Sequence, residues 1–344
     1  MPPTTTLSKV SNSVQALIFI VLCVLLSGCS SPPEARGPWA LAPTGSPPRW
    51  LSDVGVYNDL TTLTPSADFR LYTPAFPLWT NGSGKQRLVK LPKGATIDNA
   101  DAVAWRFPVG TVIAKTFTYD DVEGRSGTVA VETRLMARQT SGWIYAEYLW
   151  NAEGTDARKM PEGWSARAVD LATTEGETRR HTLPGHLECL SCHETHRGAP
   201  VLGIDPLNTS PQMVEALPFS APIKGQQLAD LPGRTPEESA VMAYLIGNCT
   251  HCHHGDLEAG GENTSFSLLP DQLVARTVGQ RTESSASGAG VRIVPRQPQR
   301  SAIFQAVVHA PHQTRPRFRP MPPLGVDVPD PEAKRLLETW IMQL

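Results

Sequence analysis

Two short stretches constrain this chain more than any other feature: Cys-Leu-Ser-Cys-His at residues 189–193 and Cys-Thr-His-Cys-His at 249–253. Each sets two thiols three positions apart and puts a histidine directly behind the second. A zinc site of four cysteines could use the same pairs, but 56 residues separate them, against the roughly 15–20 of a zinc ribbon. It would also leave His193 and His253 idle. A thioredoxin-like dithiol needs a βαβ context that this chain lacks. Two plain disulfides would make both histidines accidents, with odds of roughly one in a thousand at ordinary histidine frequency. Thioether attachment of haem uses every residue. The thiols add across the vinyl groups, and the histidine is held under the iron to offer a ring nitrogen as axial ligand. Two covalently attached haem c groups are therefore expected, on Cys189, Cys192, Cys249 and Cys252, with His193 and His253 as iron ligands.

Haem attachment of this kind happens outside the cytoplasm, and residues 1–28 read as an export signal. Lys9 is the only charge ahead of Ala16–Leu26, an apolar run of eleven residues. That is short of the ~20 a membrane span needs and fits a secretory signal core. Leu26-Ser27-Gly28-Cys29 resembles the lipobox of bacterial lipoproteins, which implies lipidation of Cys29 at a mature N-terminus. Ser30 rather than aspartate follows, so the expected anchor is the outer membrane of a Gram-negative bacterium, facing the periplasm. Residues 29–49, rich in Pro, Ser and Gly, read as a tether. Processing disposes of Cys23 and lipidation occupies Cys29, so all remaining sulfur chemistry belongs to the two motifs.

The 316 residues from Cys29 onward exceed one ordinary core, so a multidomain chain is expected. A net charge of −2 gives no hint of nucleic acid as a partner. Residues 50–183 carry strand patterns and are expected to form an antiparallel β-rich domain. Thr128–Met136 alternates, with Val129, Val131, Thr133 and Leu135 on one face. Arg138–Gly142 turns the chain into the aromatic run Trp143–Trp150. Val103–Tyr119 reads as two strands broken at Pro108-Val109-Gly110. The remainder reads as a mainly α haem region: a first haem-binding segment at 184–234 and a second domain at 235–344. Thr235, Pro236 and Glu238 open a helix that runs into Cys249. Asp330-Pro331 opens another, with Ala333, Leu336, Leu337, Trp340, Ile341 and Leu344 at helical spacing.

The sixth ligand tunes the potential of each iron. For the second haem, Met321 lies in the Pro-rich stretch Arg315–Gly325, where it has no helical face to fill; His309 and His312 compete with it. For the first, Met213 leads, His181 and His186 follow, His196 stands too near His193 to cross the ring, and an open position is a further alternative. Arg315, Arg317 and Arg319 flank Met321 and would steer an acidic partner if they ring the haem edge.

Met321 and the two helices make residues 235–344 resemble a class I cytochrome c domain. The chain as a whole resembles a family of bacterial dihaem c-type cytochromes, often lipoproteins, with a β-rich N-terminal part. The likeness runs through Leu51–Tyr57, Phe107–Phe117, Glu132–Met136, Gly142–Asn151, both Cys motifs, Ile293–Phe304 and Met321–Gly325. It implies single-electron transfer with redox proteins of the periplasm as partners and no catalytic residues. A peroxidase-like enzyme with one open iron and a haem-containing sensor lipoprotein are the rival functions.

Overall fold

The computed structural model describes residues 38–194, 200–255, 266–282, 290–308 and 317–344. Strands β1 (Tyr57–Asp59) and β2 (Thr64–Pro65) form a small hairpin. Six strands then pair in chain order as an antiparallel meander: β3 (Arg70–Leu71), β4 (Gly84–Lys90), β5 (Val112–Tyr119), β6 (Val129–Gln139), β7 (Gly142–Trp150) and β8 (Ala157–Lys159). Strands β9 (Arg167–Ala172) and β10 (Thr178–Leu183) make a separate hairpin. The expected antiparallel β-rich region is present.

Because successive side chains point to opposite faces, the meander has two surfaces of different chemistry. On one, Leu88, Val112, Ala114, Leu135, Ala137, Ala146, Tyr148 and Trp150 are buried with Ala40, Leu51, Val54 and Phe69; Leu51 and Val54 come from helix α1 (Leu51–Val54). The other surface carries Val89, Ile113 and Met136, packed under Trp105, Phe107, Val201, Ile204 and Leu217. Beyond that row the same surface becomes charged. Register sets Arg87 opposite Lys115, Lys115 opposite Arg134, and Arg134 opposite Glu147.

Three sequence expectations need correction here. The pairing of β5 with β6 shifts register between Phe117 and Thr118. This bulge interrupts the alternation of β6, so Ala130 rather than Val129 or Val131 joins Leu135 in the first core. Val103–Phe107 is not a strand of the sheet: Arg106 only bridges Asp98, and Trp105 and Phe107 turn into the second core. The segment expected to be a tether through residue 49 is packed from Pro38 onward. Ala40 is 1% exposed, the Gly45 carbonyl accepts from Gln139 at 2.7 Å, and that of Pro48 accepts from the Tyr148 hydroxyl at 2.8 Å.

After the strands come α2 (His186–His193), α3 (Pro211–Ala216), α4 (Pro236–Asn248), α5 (Leu273–Thr277), α6 (Ala302–Val308) and α7 (Pro331–Gln343). Both expected long helices form. The Thr235 hydroxyl caps α4 by accepting the Glu238 N–H at 3.1 Å. Glu238 closes back on the Arg234 N–H at 3.2 Å rather than on Thr235. Asp330 caps α7 through the Glu332 N–H at 2.9 Å. The stripe Ala333, Leu336, Leu337, Trp340 and Ile341 is buried against Val241, Met242 and Leu245 of α4 and Phe304 of α6. Burial of each large member contributes about 1.5–3 kcal/mol, which makes this core the support on which Cys249 sits.

Residues 73–83, leaving β3 for β4, tie these parts together. The Asn208 side chain accepts the Phe76 N–H at 2.7 Å and donates to the Phe76 carbonyl at 2.9 Å. Asn248 accepts the Trp79 N–H at 2.7 Å, and Asn81 accepts the Asp327 N–H at 2.7 Å. Pro38–Leu344 accordingly form one compact unit. Among the described residues no helix is long and apolar enough to cross a membrane.

Candidate functional site

The spacing of the first motif matches the repeat of α2. Positions i, i+3 and i+4 share one side of a helix, so Cys189, Cys192 and His193 are presented together. The Nδ1–H of His193 donates to the Pro200 carbonyl at 2.7 Å. That bond fixes the tautomer and leaves the Nε2 lone pair for a metal. Burial pushes the His193 pKa down to about 4, against the pull of the Pro200 bond.

The second motif continues α4 by one turn. The N–H groups of Cys252 and His253 both reach the Cys249 carbonyl, at 3.1 and 2.9 Å. The His253 ring lies 4.6 Å from that of Phe266. Cys249, Cys252, His253 and Met321 line one cavity of about 150 Å³, walled by Phe266, Leu268, Ile303, Val307 and Phe318. Met321 donates its N–H to the Ala306 carbonyl at 2.9 Å and packs on Ala302, Ala306 and Phe318.

The two motifs, far apart in sequence, meet. A cleft of about 510 Å³ is lined by Cys189, Cys192 and His193 on one side and by Cys252, His253 and Met321 on the other. The neighbouring Cys252 thiol, and then His251, pull the Cys192 pKa down against the effect of burial. The cavity of the first motif, about 100 Å³, lies between α2 and the charged surface of the sheet, with Cys189, His193, Arg87, Lys115, Arg134 and Tyr145 in its wall.

Among the described residues no three His, Cys, Asp or Glu side chains converge as a shell for a bare ion. A zinc site of four thiolates would need such a shell. A porphyrin brings four iron ligands of its own and asks the chain only for thiols and axial groups. The residues present fit that request: paired thiols, an imidazole with a fixed tautomer, and a thioether on the cavity of the second histidine. Compared with protein-family models, curated proteins and solved structures, the chain matches none.

The side chains expected to lie across from His193 are dispersed. Met213 is 1% exposed and fills the second core beneath the sheet, because Pro211 starts a short helix whose inner face it occupies; it does not line the His193 cavities. His181 is fully buried, with Nε2 at 2.8 Å from Glu132 and Nδ1 at 3.0 Å from the Tyr119 hydroxyl, so both ring nitrogens are engaged. His186 stacks edge-on to Trp164 and lines a different cleft. Met136 and His251, which sequence reasoning passed over, line the cavity of the first motif together with His193. Cys29, His196, His309, His312 and Arg315 lie outside the described residues. Arg319 lines the Met321 cavity, and Arg317 stacks on Phe318 at 5.4 Å.

The charged row was also missed, although Lys115 inside the apolar run Val112–Tyr119 signalled it. Arg134 pairs with Glu132. Burial raises the Glu132 pKa, but Arg134 and the His181 bond outweigh it and hold the carboxyl at about 2. Glu147 is pushed up to about 8 by burial and by Glu132. Burial and then neighbouring guanidinium groups bring Lys115 and Lys85 down to about 7.

Proposed function

We propose that this protein is a dihaem c-type cytochrome that carries single electrons in the periplasm. A lipid on Cys29 would hold it to the outer membrane of a Gram-negative bacterium, and redox proteins would be its partners. Bound haem c supplies a one-electron Fe(III)/Fe(II) couple. Cys189 with Cys192, and Cys249 with Cys252, anchor the two groups; His193 and His253 offer their Nε2 atoms, and Met321 offers sulfur across the second cavity. The observation that carries the reading is the shared cleft, which residues of both motifs line. Two attachment points on one cleft would set two redox groups side by side, the arrangement an electron relay needs. The packing of α4 on α7 behind the second motif supports a class I cytochrome c-like arrangement of residues 235–344. Residues 73–83, locked to Asn208 and Asn248, keep the two anchoring segments at fixed separation.

The test is an optical spectrum of holoprotein, oxidised and reduced, with and without CO. Two low-spin c-type haems indifferent to CO support the carrier. One specific observation favours a second reading: Met213, His181 and His186 are all occupied away from the first cavity. CO binding at one haem, together with turnover of peroxide, would make a peroxidase-like enzyme the better account.

A further inference from the structure

Half-buried cations in a row need an explanation. Like charges directly opposite on neighbouring strands destabilise a sheet by roughly 0.2–1 kcal/mol, and desolvating them costs more. Here Arg87, Lys115 and Arg134 stand opposite one another across β4, β5 and β6. Arg134 is compensated by Glu132. Among the described residues, no carboxylate lies within ion-pair distance of Arg87 or Lys115. The Lys115 ammonium instead lies over the Phe117 ring at 5.2 Å. Both are half-buried and line the cavity that also holds Cys189 and His193. The wall of that cavity thus offers two uncompensated cations, a fork of donors and an ammonium, beside the first attachment motif.

We infer that Arg87 and Lys115 form a site for the two carboxylates of the haem attached at Cys189 and Cys192. The inference rests on the dihaem reading and adds what the Cys motifs do not contain: which residues of the β-rich region grip the first haem. Two free cations match two carboxylates. Guanidinium and ammonium groups form charge-assisted bonds to carboxylate, and such a pair inside a low-dielectric wall is screened little by salt. It also gives the sheet a function, since the strands supply the register that spaces the cations. With a positive wall beside the iron, the added electron of the reduced state is stabilised, so the row raises the potential of the first haem only.

The experiment is a spectroscopic redox titration of full-length holoprotein carrying Arg87→Gln, Lys115→Gln, Arg87→Lys or Lys93→Gln, with covalent haem counted in each. Lys93 is exposed and in a loop, so its variant controls for loss of one surface charge. Arg87→Gln and Lys115→Gln are expected to keep two haems while lowering one midpoint at least tenfold in its equilibrium constant, about 59 mV for one electron. The other midpoint stays in place. Arg87→Lys restores most of the shift, which a merely misfolded variant would not do. Two haems with unmoved midpoints in both Gln variants overturn the inference while leaving the dihaem reading intact. So does a wild-type midpoint that follows exchange of chloride for sulfate at fixed ionic strength and loses that dependence in the variants, since the row would then hold a free anion. Absence of haem from wild-type protein removes the reading on which the inference stands.

Discussion

Gly247 sits in the last turn of α4, two residues before Cys249, and substitution by alanine pits two effects against each other. Alanine in a helix is favoured over glycine by about 1 kcal/mol, so propensity alone predicts stabilisation. The added Cβ, however, would stand 2.5 Å from the Phe76 carbonyl oxygen and 3.0 Å from the Pro77 carbonyl oxygen. To reach the 3.4 Å of an ordinary contact, the Phe76 backbone must retreat by roughly 0.9 Å. It is not free to do so, because Asn208 holds both polar groups of Phe76 and Asn248 holds the Trp79 N–H. Each such bond is worth about 0.5–1.5 kcal/mol net, and overpacking costs about 1–3 kcal/mol. Sterics should win: loss of one such bond offsets the propensity gain, leaving Gly247→Ala less stable by about 1–3 kcal/mol. Urea unfolding followed by tryptophan fluorescence reads this as a lower midpoint with unchanged slope. A midpoint at or above wild type would refute the argument, since residues 73–83 would then not be locked against α4.

Three further outcomes follow from the site. Glu132 is held at about 2 in the fold against an ordinary ~4.3, so its stabilisation is full above the ordinary value and is lost as pH falls through about 2. Glu132→Gln should cost about 3–5 kcal/mol at neutral pH by stranding Arg134 and flatten the acid limb of a stability-against-pH curve; an unchanged acid limb contradicts this. Glu147, raised to about 8, works the other way. Its contribution is full below ~4.3 and lost as pH rises through about 8, so Glu147→Gln should unfold at higher urea than wild type at pH 9, and equal midpoints there would count against a buried carboxyl. Met321→Leu should lower one haem midpoint by at least a tenfold equilibrium change, about 59 mV, and let that haem bind CO; an unchanged midpoint removes Met321 as a ligand.

The candidate site's two motifs were legible because each is local. C-x-x-C-H is a one-turn unit, and its i, i+3, i+4 spacing becomes one helix side wherever the chain is helical. The α7 stripe was legible for the same reason, with Asp330-Pro331 marking its start. Met213 misled because a methionine after Pro211 looks equally fit for a ligand and for the inner face of a short helix; only packing under the sheet separates the two. Val129 and Val131 misled because a bulge, which depends on the partner strand, shifts alternation without leaving a mark in β6 itself. The cationic row could not be read from any single strand. Lys115 is one odd residue in β5, and it becomes part of a site only through register with Arg87 and Arg134. The meeting of the two motifs in one cleft likewise depends on how residues 73–83 bind Asn208 and Asn248, which no spacing records.

The central claim is covalent attachment of two haems, and intact mass measured under denaturing conditions tests it most directly, because denaturation strips any haem that is not bonded. Protein matured in a periplasm with haem-attachment machinery should weigh the processed lipid-modified chain plus two haems, and Cys252→Ala with Cys249→Ala should weigh one fewer. A chain at its bare polypeptide mass, or one whose haem is shed on denaturation, would contradict the account.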